Sequence, residues 1–421
     1  MDYLLFLRRN WLFLLAGFLL TFTSSYGQTY FISLFAGAIK GDFGLSDGQW
    51  GGIYTIGTTL SALTMVWAGV LTDRFRVRVL AFGVMVTLAG ACLAMAAVPN
   101  WIALIFVVYA LRLTGQGMMS QLGQVAMVRW FEATRGKALS LSSMGFAAGQ
   151  AFLPVIFVAL FASFHWRSLW VLAAVLVLLT IPVILLLLRQ ERTPQSMAEQ
   201  AQRAGMQGRH WTRAEMFRSG LFWMMIPFAV GPSAWGTALF FHQVHLVEMK
   251  GWQLVEFVAL MPIYTLSAVA CTFLSGWAID RFGVSRVVPV QMLPFALAFM
   301  VLAYADTLWM AGIGLIIFGA GQGMQSTAPA AFWAEYYGTR HVGSIKAVAA
   351  ALMVFGSAVG PGVTGLFIDL GVEFPQQMLP IALYYLAAAA LAGWAIHRYR
   401  PSLSPSGCAA DRHNTPRRRR G

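Results

Sequence analysis

The chain has 421 residues, of which 58% are hydrophobic and 11% are charged. Soluble globular domains carry about 25% charged residues, so this composition excludes an ordinary soluble domain and indicates an all-α polytopic membrane protein. The formal net charge of +13 does not indicate a nucleic-acid partner, because the basic residues are spread over alternate loops between apolar runs. The three cysteines have no metal-ligand spacing, so the sequence supports neither a disulfide framework nor a metal site.

Twelve apolar segments follow one another along the chain. Each is long enough to cross a hydrocarbon core of about 30 Å as a helix. The first is longer than the apolar core of about 7–15 residues in a signal peptide, so we expect it to be an uncleaved helix. The predicted segments are 11–38, 51–71, 79–98, 101–124, 137–163, 167–188, 219–247, 254–277, 286–305, 308–330, 343–369 and 377–397.

The basic residues sort onto one side of these segments. Twenty-five lie on the side of both termini, three (Lys40, Arg167 and Lys250) lie on the other side, and Arg112 lies within a segment. Loops rich in lysine and arginine stay in the cytoplasm. We therefore predict a multi-pass protein of the inner or plasma membrane, surrounded by lipid, with both termini in the cytoplasm.

The one long internal loop divides the segments into two sets of six. We predict an N-terminal half over residues 8–188, a cytoplasmic linker over 189–218 and a C-terminal half over 219–398. Residues 399–421 are basic and rich in proline and serine, so we expect a disordered cytoplasmic tail.

A charged turn recurs half a chain length apart. Residues 69–74 read Gly-Val-Leu-Thr-Asp-Arg, and residues 276–281 read Gly-Trp-Ala-Ile-Asp-Arg, with Asp73 and Asp280 207 positions apart. Gln116 recurs as Gln322 at nearly the same offset. This repetition predicts two pseudo-symmetric halves that run parallel.

Six plus six helices, a long middle loop and a Gly-x-x-x-Asp-Arg turn after the second and eighth helices resemble the major facilitator superfamily. The resemblance covers nearly the whole chain. It implies a secondary active transporter that works by alternating access, as a monomer and without a cofactor.

The resemblance also implies that the two turns form a latch that closes the cytoplasmic side, through carboxylate–arginine and helix-dipole interactions. A charged turn that only sets topology is the alternative. The latch residues are Gly69, Asp73, Arg74, Arg78, Gly276, Asp280 and Arg281.

Arg112 lies about eleven residues into the fourth segment, which is a depth of about 17 Å. A cation at such a depth is costly and is commonly functional. The repeat offset places Phe318 at the matching position of the tenth segment, so the scaffold does not require arginine there. Arg112 is then an anchor for an anionic substrate, a charge that tunes proton coupling, or a structural arginine bonded to helix carbonyls.

Polar residues at helical spacing indicate which helix faces line a central path. Hydrogen bonding between helices is the alternative for each of them. For His242 a proton-carrying role and an interfacial position are both open. The substrate-path candidates are Gln28, Arg112, Gln116, Gln150, Trp235, His242, Gln322 and Gln325.

The function that follows is transport of a small-molecule substrate, with the proton as a candidate coupling ion. One buried cation without a buried carboxylate favours a small organic anion such as a monocarboxylate. Efflux of amphipathic compounds is the alternative within transport, and a transporter-like membrane sensor is the alternative from another class. An enzyme is disfavoured, because no nucleophile–base pair, nucleotide motif or metal cluster is present.

Overall fold

The computed structural model describes residues 3–68, 71, 75–131, 135–189, 205–338 and 341–399. Within these ranges the regular elements are helices, so the predicted all-α fold class is confirmed. Each predicted segment coincides with a helix, and nine of the described helices are long and apolar enough to cross a membrane. Half of the predicted linker, residues 190–204, and nearly all of the predicted tail lie outside the described residues.

The first six helices, α1–α6, have the following bounds. α1 is built of Tyr3–Thr23, Ser24–Gly27, Thr29–Ile32, Ser33–Phe35 and Ala36–Phe43. α4 is built of Trp101–Leu111, the π-helical Arg112–Met119 and Ser120–Trp130. The others are α2 Asp47–Ala68, α3 Val77–Ala96, α5 Arg135–Phe161 and α6 Trp166–Leu187.

In the second six, α7–α12, one or two residues interrupt each of α8, α9 and α10, and α7 is interrupted twice. α7 is built of Gly220–Met224, Ile226–Phe241 and Gln243–Lys250, and α8 of Leu254–Val258 and Met261–Phe282. α9 is built of Val284–Val290 and Met292–Ala303, and α10 of Leu308–Gln325 and Ala328–Tyr337. α11 is Val342–Asp369 and α12 is Phe374–Tyr399.

Successive helices alternate in direction, so α1 begins and α12 ends at the same end of the bundle, which we call the terminal face. Residues 205–218 lie here too. The Met206 N–H donates to the Tyr336 carbonyl (2.8 Å), and the Trp211 N–H donates to the Tyr337 carbonyl (3.0 Å). The turns after α1, α7 and α11 lie at the other end, which we call the opposite face.

α1 is interrupted where it passes α4. Gln28 has an extended backbone (φ −86°, ψ 152°), and the neighbouring part of α4 is the π-helical segment. A Cβ atom on Gly27 would lie 2.1 Å from the Leu111 carbonyl oxygen, and one on Gly115 would lie 2.6 Å from the Gly27 Cα. Only glycine permits this approach of two backbones. The break leaves the Gly27 carbonyl available to a side chain.

Toward the opposite face, α1 and α2 meet α7 and α11. The Thr55 hydroxyl donates to the Ala358 carbonyl (2.7 Å), and the Ser33 hydroxyl donates to the Phe240 carbonyl (2.6 Å). A Cβ atom on Gly51 would lie 2.7 Å from the Pro361 carbonyl oxygen, so the α2 and α11 backbones are in direct contact. The two sets of helices are therefore closed against each other at this end.

Candidate functional site

A cavity of about 320 Å³ lies between the two sets of helices. Its wall is formed by residues of α1, α4, α5, α7, α8, α10 and α11. None of the described residues that line it is Asp, Glu, Lys, Arg or His. The wall contains five of the eight predicted substrate-path residues, namely Gln28, Gln116, Gln150, Gln322 and Gln325.

Polar residues extend from the cavity wall toward the terminal face. Gln124 lies two turns beyond Gln116 on α4, Ser143 lies two turns before Gln150 on α5, and all three of Gln124, Ser143 and Gln322 are exposed. Residues at these spacings share a helix face. The helix faces that line the cavity therefore remain accessible toward the terminal face, while the opposite face is closed.

The amide side chains give the cavity wall both donors and acceptors. Gln28 projects from the extended break in α1, and Gln116 projects from the π-helical part of α4. Gln325 accepts a hydrogen bond from Gln291 of α9, which is fully buried. This contact holds the side chain of Gln325 at the cavity wall.

Arg112 lies behind this wall. Its side chain is buried, with an exposed fraction of 1%. Nη1 donates to the Gly27 carbonyl oxygen (3.3 Å) and to Thr29 Oγ1 (3.2 Å), and Cζ lies 5.2 Å from the centroid of the Tyr54 ring. Thr29 lines the cavity. The guanidinium is therefore one hydrogen bond away from the cavity.

The guanidinium is not fully satisfied by the protein. Nε and Nη2 of Arg112 are buried and have no hydrogen-bond partner among the described residues. Of the Asp, Glu, Lys and Arg side chains that the structure describes, Arg112 is the one that is fully buried. Burying a cation without its counter-charge costs several kcal/mol. The hydrogen bond from Arg112 to the Gly27 carbonyl is typical of a structural arginine. The unpaired Nε and Nη2 donors, in contrast, are suited to binding an anionic ligand.

The matching position in α10 carries Phe318, as the repeat predicts. Phe318 is buried, lines the cavity and packs against the rings of Phe240 (5.8 Å between centroids) and Tyr264 (5.9 Å). The two pseudo-symmetric positions thus differ in chemistry. Arg112 places a cation behind one wall of the cavity, and Phe318 places an aromatic ring in the other wall.

Two further predicted path residues lie outside the cavity lining. Trp235 lines a separate, largely apolar pocket of about 340 Å³ between α7, α11 and α12. His242 lies toward the opposite face, where its Nε2 is 3.2 Å from the Pro361 carbonyl oxygen.

His242 belongs to a cluster of charged and titratable groups at the opposite face. Asp47, the first residue of α2, forms an ion pair with Lys40 (2.8 Å) and faces Nδ1 of His242 (3.8 Å) and of His245 (3.6 Å). The other ring nitrogen of His245 lies 2.8 Å from a Glu373 carboxylate oxygen. The cluster therefore links α1, α2, α7 and the turn before α12.

The family of the chain is shown by a match that extends over nearly the whole sequence. Residues 17–361 and 259–413 match the model of the Major Facilitator Superfamily. The chain belongs to this superfamily. A sequence relative, the oxalate:formate antiporter of Oxalobacter formigenes, is 24% identical over 374 residues, which is 86% of each chain. A Mycobacterium tuberculosis multidrug resistance protein B homolog is 30% identical over 146 residues, which is 34% of this chain and 26% of the relative.

Solved transporter structures share the fold. A bacterial homolog of the human lysosomal transporter Spinster, in an inward-facing and unoccupied conformation, aligns with a TM-score of 0.68 at 18% identity. The alignment covers 94% of this chain and 98% of that chain. The nucleoside transporter NupG aligns with a TM-score of 0.69 at 16% identity, over 92% of this chain and 99% of that chain. This superfamily chain is therefore a multi-pass membrane transporter.

The superfamily turns lie at the terminal face. Of the first, Gly69, Asp73 and Arg74 lie outside the described residues, and Arg78 is exposed. In the second, Asp280 and Arg281 are exposed, and Gly276 has open space beside its Cα. Asp280 has no ion pair within the described ranges. The latch remains a prediction.

Sequence reasoning missed several residues of the site. Thr29 connects Arg112 to the cavity and the Tyr54 ring packs against its guanidinium, yet both are residue types that are common in membrane helices. Gly27 was the available signal for Thr29, because glycine within a membrane helix permits a break and such breaks free backbone groups near a site. Asp47 and Glu373 were missed because each lies at a helix end, where carboxylates are common.

Proposed function

We propose that this superfamily member is a secondary active transporter that moves a small organic anion by alternating access. The proton is the candidate coupling ion. The observation that carries the proposal is the guanidinium of Arg112, which is buried one hydrogen bond behind the cavity wall with two unpaired donors. A carboxylate would supply the counter-charge and acceptors that the protein lacks.

The distribution of charge supports an orientation with the terminal face in the cytoplasm. In that orientation the cavity is open to the cytoplasm, and the side facing away from it is closed by α1, α2, α7 and α11. Alternating access then requires these helices to separate while the helices at the terminal face meet. The two superfamily turns, at Asp73 and Asp280, are proposed to hold that second state.

The sequence relative supports an anionic substrate, because the matched antiporter is named for oxalate and formate and aligns over most of both chains. Arg112 acting only on proton coupling is less favoured, because no described carboxylate pairs with it. Efflux of amphipathic compounds is the second candidate. It is favoured by the local match to a multidrug resistance homolog and by the aromatic part of the wall.

The test is uptake of labelled carboxylates into proteoliposomes at two external pH values. Wild type is compared with Arg112→Ala and with Arg167→Ala. Arg167 is the control, because it donates to the Ala96 and Val98 carbonyls near the opposite face, away from the cavity. We expect Arg112→Ala to lower uptake about 30-fold or more, since losing one partner of a buried charge pair costs about 2–5 kcal/mol.

Each outcome of this assay has a defined meaning. Selective loss in Arg112→Ala supports the anion proposal, and dependence on the pH gradient supports proton coupling. If no carboxylate is transported, or if Arg112→Ala transports as well as wild type, the anion proposal is wrong. Transport of cationic or neutral amphipathic dyes in its place would establish the efflux alternative.

A further inference from the structure

The central cavity has two chemically different walls. On the side of α1 and α4 it presents Gln28, Thr29 and Gln116 with the guanidinium of Arg112 behind them. On the side of α7, α8 and α10 it presents an aromatic triad, which we define as Phe240, Tyr264 and Phe318, beside the polar residues Ser233, Thr237, Gln322 and Gln325. A ligand that spans the cavity therefore has the guanidinium of Arg112 at one end and the packed rings of the triad at the other.

The aromatic triad is closely packed. Its ring centroids lie 5.3 Å apart for Phe240 and Tyr264, 5.8 Å apart for Phe240 and Phe318, and 5.9 Å apart for Tyr264 and Phe318. These separations fall within the range of favourable aromatic pairs. Phe295 and Phe299 of α9 pack behind Phe318, at 5.2 and 6.0 Å. The triad is therefore an aromatic surface that is supported from behind by other rings.

Charge limits the ligand to one carboxylate. Arg112 is the cation beside the cavity, and the described lining residues carry no other charge. A dianion that placed one carboxylate at Thr29 would place the other against amides or rings without a counter-charge, which costs desolvation free energy.

The volume of the cavity indicates a ligand that carries an apolar group in addition to its carboxylate. A volume of about 320 Å³ lies within the range of about 300–1,000 Å³ of pockets for drug-sized ligands. Formate and oxalate are much smaller than such a ligand and have no apolar surface to place on the triad. A ring attached to a carboxylate fills both walls at once.

We propose that the substrate is a monocarboxylate with an apolar, ring-sized body, whose carboxylate binds at Thr29 and Arg112 and whose ring packs on Phe240, Tyr264 and Phe318. This inference rests on the proposed anion transport and names its substrate class. It assigns the triad as the determinant of selectivity among carboxylates.

The experiment compares five labelled probes in proteoliposomes: benzoate, cyclohexanecarboxylate, formate, oxalate and the neutral benzamide. We expect benzoate and cyclohexanecarboxylate to be transported at least about tenfold more efficiently than formate or oxalate, because a matched apolar group contributes about tenfold or more to discrimination. Benzamide, which has the ring without the charge, is expected to be transported poorly.

Two variants of the triad make the test specific. Phe318→Ala removes the ring, and Phe318→Leu keeps an apolar side chain at that position. We expect the ratio of benzoate to formate uptake to fall about tenfold in Phe318→Ala and less in Phe318→Leu. A variant that is merely misfolded lowers uptake of both probes equally and leaves the ratio unchanged.

The outcomes separate this inference from the proposed function. If oxalate or formate is transported as well as benzoate, with uptake lost in Arg112→Ala, the anion proposal stands and the ring-sized body is wrong. A benzoate-to-formate ratio that is unchanged in Phe318 variants that still take up formate at the wild-type rate also overturns the inference. If benzamide moves as well as benzoate and Arg112→Ala is fully active, both proposals fail.

Discussion

At the residue scale, the interest of Arg112 is that the protein leaves it incompletely paired. One nitrogen donates to Gly27 and Thr29, while Nε and Nη2 have no partner among the described residues. In the other half the equivalent position is filled by Phe318, which packs well and costs no desolvation of charge. A site that keeps a costly side chain where an apolar one fits is typical of function rather than stability.

This contrast predicts that stability and transport respond in opposite directions at Arg112. Arg112→Met keeps most of the side-chain volume and removes the uncompensated charge. We expect the melting temperature in detergent to stay equal or to rise, because replacing a buried charge by an apolar residue is neutral or stabilising. Uptake is expected to be lost.

The measurement is thermal unfolding by intrinsic tryptophan fluorescence beside the uptake assay. Arg112→Lys is the companion variant, which keeps the charge but cannot offer the planar set of donors. A melting temperature of Arg112→Met several degrees below wild type would show that the arginine is structural, bonded to helix carbonyls, and would contradict our interpretation.

At the element scale, the site depends on how closely α1 and α4 approach. The break at Gln28 and the π-helical winding after Leu111 occur side by side, at the contact of Gly27 with Gly115. This contact places the Gly27 carbonyl within reach of Arg112 and turns Gln28 toward the cavity. The two irregular segments thus support one another and orient the polar wall.

The contact predicts that a single methyl group at Gly27 is disruptive. In Gly27→Ala the new Cβ would lie 2.1 Å from the Leu111 carbonyl oxygen, a backbone atom that cannot rotate away. We expect a loss of about 1–3 kcal/mol of stability, as for other overpacked sites, together with reduced uptake. Thermal unfolding of the purified protein measures the first effect.

Gly83→Ala is the matched control. Gly83 lies within α3, and a Cβ atom there meets nothing within 4 Å. The substitution is expected to leave stability unchanged or to raise it slightly, because alanine has the higher helix propensity. Equal melting temperatures for the Gly27 and Gly83 variants would mean that α1 and α4 can separate at no cost.

At the scale of the whole molecule, hydropathy and charge predicted the twelve helices and the superfamily, because a membrane helix reveals itself by length and apolarity alone. The interior of the site was harder to predict. Spacing gives a polar face, but it does not say which neighbour that face meets. Gln28, Gln116, Gln150, Gln322 and Gln325 line the cavity, whereas Trp235 lines another pocket.

The features of the site that could not be predicted from the sequence are contacts between residues that lie far apart in the chain. The link from Arg112 through Thr29 to the cavity joins residues of different helices, and no local pattern predicts it. The same holds for the closure at the opposite face, where Asp47 of α2 meets His245 of α7. Such contacts depend on how the helices are arranged in this particular state of the transporter.

The closure at the opposite face predicts that Asp47 contributes to the equilibrium between the closed and open conformations of that face. Asp47 pairs with Lys40 and faces both His242 and His245, so it joins helices that must separate if the opposite face is to open. In Asp47→Asn the ion pair with Lys40 is lost, together with the carboxylate that faces the two histidine rings. We therefore expect the open form at the opposite face to become several-fold more populated, since a change of about 1 kcal/mol shifts a two-state equilibrium by about fivefold.

The population is measured as the rate at which a membrane-impermeant maleimide, added from the opposite face, labels Ser233→Cys in the cavity wall. Asp306→Asn is the matched control, because Asp306 is an exposed carboxylate at the same face outside the cluster. We expect labelling to rise in Asp47→Asn and to remain at the parent rate in Asp306→Asn. Unchanged labelling in Asp47→Asn would assign the closure to helix packing between α2 and α11 alone.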